Sequence, residues 1–285
     1  QTVDPLTWEP HPEVWLLVAA VVAMGLYVSR VIAPKAVVPD GEVAISTGRK
    51  VSFWLGVVVL WVSSDWPLHD IAEQSLYSMH MVQHLLTYVM PPLFLMAIPP
   101  WLARLAIPDG GNGYRWLKRM ASPVVAGILF NVLTIFTHWT WIVNTAVTVG
   151  PFHYLVHLVL VASAFLMWTP VCGPWAELRL STIGAAVYLF LMSVLPTIPG
   201  AWISLSETPV YQVYDHEPRL WGMSVLEDQQ TAGQIMKIAG GTYLWVIITY
   251  LFFRQGLKHE RHEREERPVV TEAQAARMRE EAAAA

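Results

Sequence analysis

Long apolar runs alternate with short polar breaks along this chain, and the runs have the length that carries a helix across a bilayer. A span needs roughly 17 to 25 mostly apolar residues. Seven such runs occur, at about residues 14–33, 49–66, 76–98, 123–143, 152–172, 180–203 and 231–253. The pattern predicts an all-α, polytopic membrane protein. Residues 1–254 form a seven-helix transmembrane domain, and residues 255–285 form a charged cytoplasmic C-terminal tail. Pro91 and Pro92 in the third run, and Pro196, Pro199 and Gly200 in the sixth, predict interruptions whose freed carbonyls must be satisfied inside the bundle.

Composition agrees with lipid as the main solvent. Hydrophobic residues make up 54% of the 285, charged residues only 14%, and there are 14 Trp, a departure from soluble domains. Cytoplasmic loops carry the excess of Lys and Arg, and here the two sides differ sharply. Arg30, Lys35, Arg49, Lys50, Arg104, Arg115, Lys118, Arg119, Arg179 and seven basic residues from Arg254 to Arg279 fall on one side; the other holds Arg219 alone. Lys237 sits within the last run. The expectation is an N-terminus outside and a C-terminus in the cytoplasm. The net charge of −4 therefore says little about partners, and nothing in it points to nucleic acid. The tail balances basic and acidic residues and reads as a solvated helix. Gln1 in place of Met fits removal of a signal peptide or a few residues. The lone Cys172 has no partner thiol and reads as structural.

On this topology eight of ten histidines lie on the outer side. His80 and His84 fall in the outer part of the third span, His138 near the outer end of the fourth, and His153 and His157 at the outer start of the fifth. Only His259 and His262 are cytoplasmic. Residues four apart share a helix face, so each His-x-x-x-His pair presents two imidazoles to one point. Taken singly, each histidine reads as readily as a hydrogen-bonded packing residue; two pairs and a fifth ring at one depth predict a metal site. His11, His69 and His216 read as ordinary solvated loop histidines.

Imidazole suits copper, zinc, iron and nickel, and thioether sulfur tilts the choice toward copper. Met79 and Met81 flank His80, so copper is the metal best motivated, although Met is also a common filler of apolar gaps. Asn131 and Thr134 share the helical face of His138 and are expected to orient it. Asp228 stands where a carboxylate caps the seventh span, or it faces the histidines. No His-Glu-x-x-His, nucleophile elbow or phosphate-binding loop is present, so no enzyme activity is expected.

The motifs HMVQHLL (His80 to Leu86) before Pro91, Pro92 and Pro99, THW (137–139), HYLVHL leading to WTPVCGP (168–174), and DQQTAGQIM (228–236) together resemble the CtaG family of bacterial cytochrome c oxidase assembly factors. The resemblance implies a multi-pass protein of the bacterial inner (plasma) membrane needed for a haem-copper oxidase, with delivery of copper to the oxidase as its role. Oxidase subunits, an extracytoplasmic copper donor and the lipid bilayer would be its partners, and His80, His84, His138, His153, His157 and Asp228 its functional positions. Two other readings stay open at this stage: a haem-binding protein, and an oxidase-associated structural subunit whose histidines only pack helices. Haem pairs of the cytochrome b type, however, sit half a bilayer apart along a helix, whereas these pairs share one level.

Overall fold

The computed structural model describes residues 6–38, 43–215, 219–266 and 281–283, with side chains given only to residue 257 within the last long helix. His216, the side chains of His259 and His262, and most of the expected 255–285 tail lie outside the described residues. The described chain is all-helical, with no strand. Thirteen helices follow in order: α1 (Pro12–Tyr27), α2 (Thr47–Ser64), α3 (Leu68–Gln74), α4 (Tyr77–Ala97), α5 (Pro100–Ala106), α6 (Asn112–Met120), α7 (Pro123–Thr137), α8 (Thr140–Thr148), α9 (Gly150–Cys172), α10 (Thr182–Val194), α11 (Thr197–Ser204), α12 (Val225–Gln234) and α13 (Gly240–Glu266).

Five segments are long and apolar enough to cross a membrane: Pro12–Lys35, Thr47–Gln74, Gly150–Cys172, Thr182–Ser204 and Val225–Leu257. The count rises to seven if two bent pairs, α4 with α5 (97°) and α6 with α7 (66°), are each one span. The surface agrees with lipid contact. Leu16, Val124 and Phe252 are each 70% or more exposed, on helices whose faces would otherwise be wetted.

Three expected element boundaries are corrected. The fourth span does not run on to residue 143: α7 stops at Thr137, His138 leaves helical geometry (φ −90°, ψ 2°), and Trp139 is extended before α8 begins. Two contacts hold the break: the His138 side chain bonds back to the Thr134 carbonyl, and its own carbonyl is taken by the Tyr211 hydroxyl at 2.7 Å. Pro91 and Pro92 do not interrupt α4, which continues through both. One carbonyl near them is satisfied from α2, where the Ser52 hydroxyl donates to Leu93 O at 2.7 Å. The last span begins at Val225 rather than near 231, since Ser224 and Glu227 form a reciprocal capping box there.

Packing holds two ends apart. At one end Leu95, Phe130, Trp168, Leu189 and Leu244 form a core shared by α4, α7, α9, α10 and α13. At the other, Tyr77, Met81, Val143, Ile203, Tyr211, Tyr214 and Ala232 close over the start of α4. Helices α11 and α12 touch backbone to backbone through Gly200 and Gly233: a Cβ on Gly233 would sit 2.5 Å from Gly200 O. This second end carries the histidines.

Candidate metal centre

Helix α4 owes its start to a residue 150 positions away. Its first N–H groups have no intrahelical partner, and the fully buried Asp228 carboxylate takes two of them: Tyr77 N donates to Oδ2 and Ser78 N to Oδ1, each at 2.9 Å. Arg219 Nη2 approaches the same carboxylate at 3.3 Å. Asp228 therefore caps the helix bearing His80 and His84, and its own helix is capped by Ser224 instead. The carboxylate reaches the histidines through backbone, not by facing them.

With α4 so anchored, His80 and His84 sit side by side on one face, their rings tilted by 49° with centroids 4.5 Å apart. On α9, His153 and His157 repeat the arrangement at 4.4 Å. The two helices pack together, which brings His84 within 5.0 Å and His80 within 5.7 Å of the His157 ring. One nitrogen from each of His80, His84 and His157 lies within 4.8 Å of the others. An ion bound at about 2 Å needs nitrogens roughly 3.5 Å apart, so the rings would have to draw together around it. All five predicted histidines line a single cavity of about 20 Å³, large enough for one ion or water. The chemistry of the donor set fits a transition metal. His80 Nδ1 is buried without a hydrogen-bond partner.

His138 joins from the α7–α8 break, its ring 6.3 Å from that of His84. Its Nδ1–H donates to Thr134 O at 2.6 Å, which fixes the tautomer and leaves Nε2 as the lone-pair nitrogen. That Nε2 is buried and unpartnered. Thr134 thus orients His138 through its carbonyl rather than its hydroxyl. Asn131 does not reach the ring: its Nδ2 donates to Gly127 O and to Met192 Sδ. Met81 lines the histidine cavity, whereas Met79 does not. A larger cavity of about 120 Å³ continues from His84 and His138, bordered also by Met81, Met192, Met236 and Lys237.

Glu73, which the sequence reading passed over, holds two histidines at once. Its Oε1 lies 3.0 Å from His153 Nε2 and 3.2 Å from His69 Nε2. A carboxylate held at Nε2 orients the ring and leaves Nδ1 as the nitrogen for another ligand. The i,i+4 spacing of His69 and Glu73 was the available signal. His69 and His11 are not the solvated loop residues expected: His69 is in α3, both side chains are only 13% exposed, and His11 Nε2 lies 2.7 Å from Asp70 Oδ1. Gln83 Nε2 bridges Ser63 O and His69 Nδ1 at 2.7 and 3.0 Å. Burial works against protonating His11, but Asp70 and Glu13 outweigh it and raise its pKa above the ordinary imidazole value.

Among known families, residues 25–255 match the cytochrome c oxidase caa3 assembly factor family (Caa3_CtaG). No curated protein and no solved structure matches the chain significantly. The matched segment covers most of the chain, and the chain belongs to that family.

Proposed function

We propose that this caa3 oxidase assembly factor binds copper in its five-histidine cavity and hands it to the copper site of the oxidase it helps to assemble. The observation that carries the reading is the cavity itself: five imidazoles around a space of about 20 Å³, with His80 Nδ1 and His138 Nε2 lacking any protein partner. Buried polar atoms are normally hydrogen-bonded, so a site that leaves two nitrogens unpaired suits an absent ligand. Haem fits poorly, because ligand pockets of that class measure roughly 300 Å³ or more.

The asymmetry of Lys and Arg supports placing the histidine end outside and the C-terminus in the cytoplasm of the plasma membrane. Copper then arrives from an extracytoplasmic donor. His80, His84 and His157 form the tightest set, while His138 and His153 stand beside it as exchange partners. Imidazoles that are neutral and uncaged release an ion more readily than a closed thiolate site. The protein acts as a carrier, not an enzyme. The test is the copper content of the assembled oxidase in cells whose only copy of this protein carries His80→Ala and His84→Ala. Oxidase lacking copper supports the reading; oxidase with normal copper refutes it.

A further inference from the structure

A second group of donors stands on the same end of the bundle, apart from the five-histidine cavity. One ligand atom each from His11, His69 and Asp70 lies within 4.8 Å of the other two. Asp70 is 2% exposed, and its Oδ2 is buried with no hydrogen-bond partner. A lone His11–Asp70 pair tying α1 to α3 would use only Oδ1, which already meets His11 Nε2 at 2.7 Å. Nor would it need His69, whose ring stands edge-on to His11 with centroids 5.1 Å apart. His11 also precedes the residues matched by the family.

We propose that His11, His69 and Asp70 form a second metal site that takes up divalent copper and passes it to the five-histidine cavity by way of Glu73 and His153. Two imidazoles and one carboxylate are an N/O donor set that suits Cu²⁺. Both imidazoles are largely buried, at 13% exposure, and Asp70 beside them is buried at 2%. Glu73 is the step between the sites, since a single oxygen faces both His69 and His153. Beside it lies a cavity of about 70 Å³ lined by Glu73 and His153, and His153 also lines the five-histidine cavity. The ion changes ligands along this route and keeps its charge.

The onward passage rests on the copper reading of the five-histidine cavity, and the test separates the two. The full chain, purified metal-free in mild detergent, is titrated with Cu²⁺ against a competing chelator, and bound ions are counted by electron paramagnetic resonance. The native protein is expected to bind two ions. Asp70→Asn and His11→Gln each leave one, as does His80→Ala with His84→Ala, but with a different spectrum. Glu73→Gln binds both ions and fills the inner site about tenfold more slowly in stopped-flow mixing. Folding of each variant is checked by circular dichroism, and His11, less buried than Asp70, serves if Asp70→Asn does not fold. Two ions retained in both His11→Gln and Asp70→Asn overturn the second site. An unchanged filling rate in Glu73→Gln overturns the route. Loss of one ion in Asp70→Asn with none lost in the His80, His84 double variant overturns the five-histidine reading and leaves the second site standing.

Discussion

The Asp228 carboxylate accepts the backbone N–H of Tyr77 at 2.9 Å, joining α12 to the first turn of α4 across 151 residues of sequence. A carboxylate with no solvent exposure is thereby spent on positioning a helix whose next turns carry His80 and His84. Arg219 at 3.3 Å balances its charge.

Asp228→Ala removes two charge-assisted hydrogen bonds and leaves the buried guanidinium of Arg219 without this partner. Each such bond contributes about 1.5–3 kcal/mol, so a loss of about 3 kcal/mol or more is expected in reversible unfolding. Metal binding should fall with it, because the helix start moves. Asp228→Asn keeps an acceptor and should lose less on both counts.

His80→Leu should act in the opposite direction on the metal-free protein. The imidazole Nδ1 is buried and unpaired, and relieving such a group is worth about 1 kcal/mol when the volume is kept. Thermal unfolding without metal is predicted at or above the native temperature. Stabilisation by added copper, expected of the native chain, should be lost. A large destabilisation of the metal-free variant would mark His80 as a packing residue.

Gly233→Ala tests the contact that fixes α11 on α12. The added Cβ would meet Gly200 O and Ser204 Oγ at 2.5 Å and Ser204 N at 2.8 Å, two of them backbone atoms that cannot turn aside. The helices must separate, with a cost of about 3 kcal/mol. Gly240→Ala, with nothing within 4 Å of the new atom, is the matched control and should be neutral or mildly stabilising in the helix. Equal unfolding of the two variants would contradict the close approach.

Tyr211→Phe removes the hydroxyl that donates to His138 O at 2.7 Å. A buried carbonyl at the α7–α8 break is left unpaired, at about 1–3 kcal/mol. His138 loses its fixed position but its neighbours on α4 and α9 do not. Copper should still bind, with about tenfold lower affinity, as read by chelator competition.

The paired histidines were legible because a four-residue spacing needs only helical geometry, and α4 and α9 supply it. Helix breaks were harder. Nothing in Thr137, His138 and Trp139 marks a stop by composition; the break comes from a side chain turning back on Thr134 and a hydroxyl arriving from Tyr211. In the reverse sense, Pro91 and Pro92 marked an interruption that α4 absorbs. Asp228 was legible as a capping carboxylate but not as the cap of a different helix, which is a tertiary contact between distant segments. Glu73 was missed because its neighbourhood read as loop, so the i,i+4 relation to His69 went unused.

The central claim, that His80, His84 and His157 hold copper, is tested most directly by X-ray absorption at the copper edge on the purified protein, beside its copper content. The account predicts a copper-binding chain whose first shell is imidazole nitrogen, and loss of that copper when His80 and His84 are both Ala. Equal copper in the double variant, or a first shell without imidazole, would contradict it.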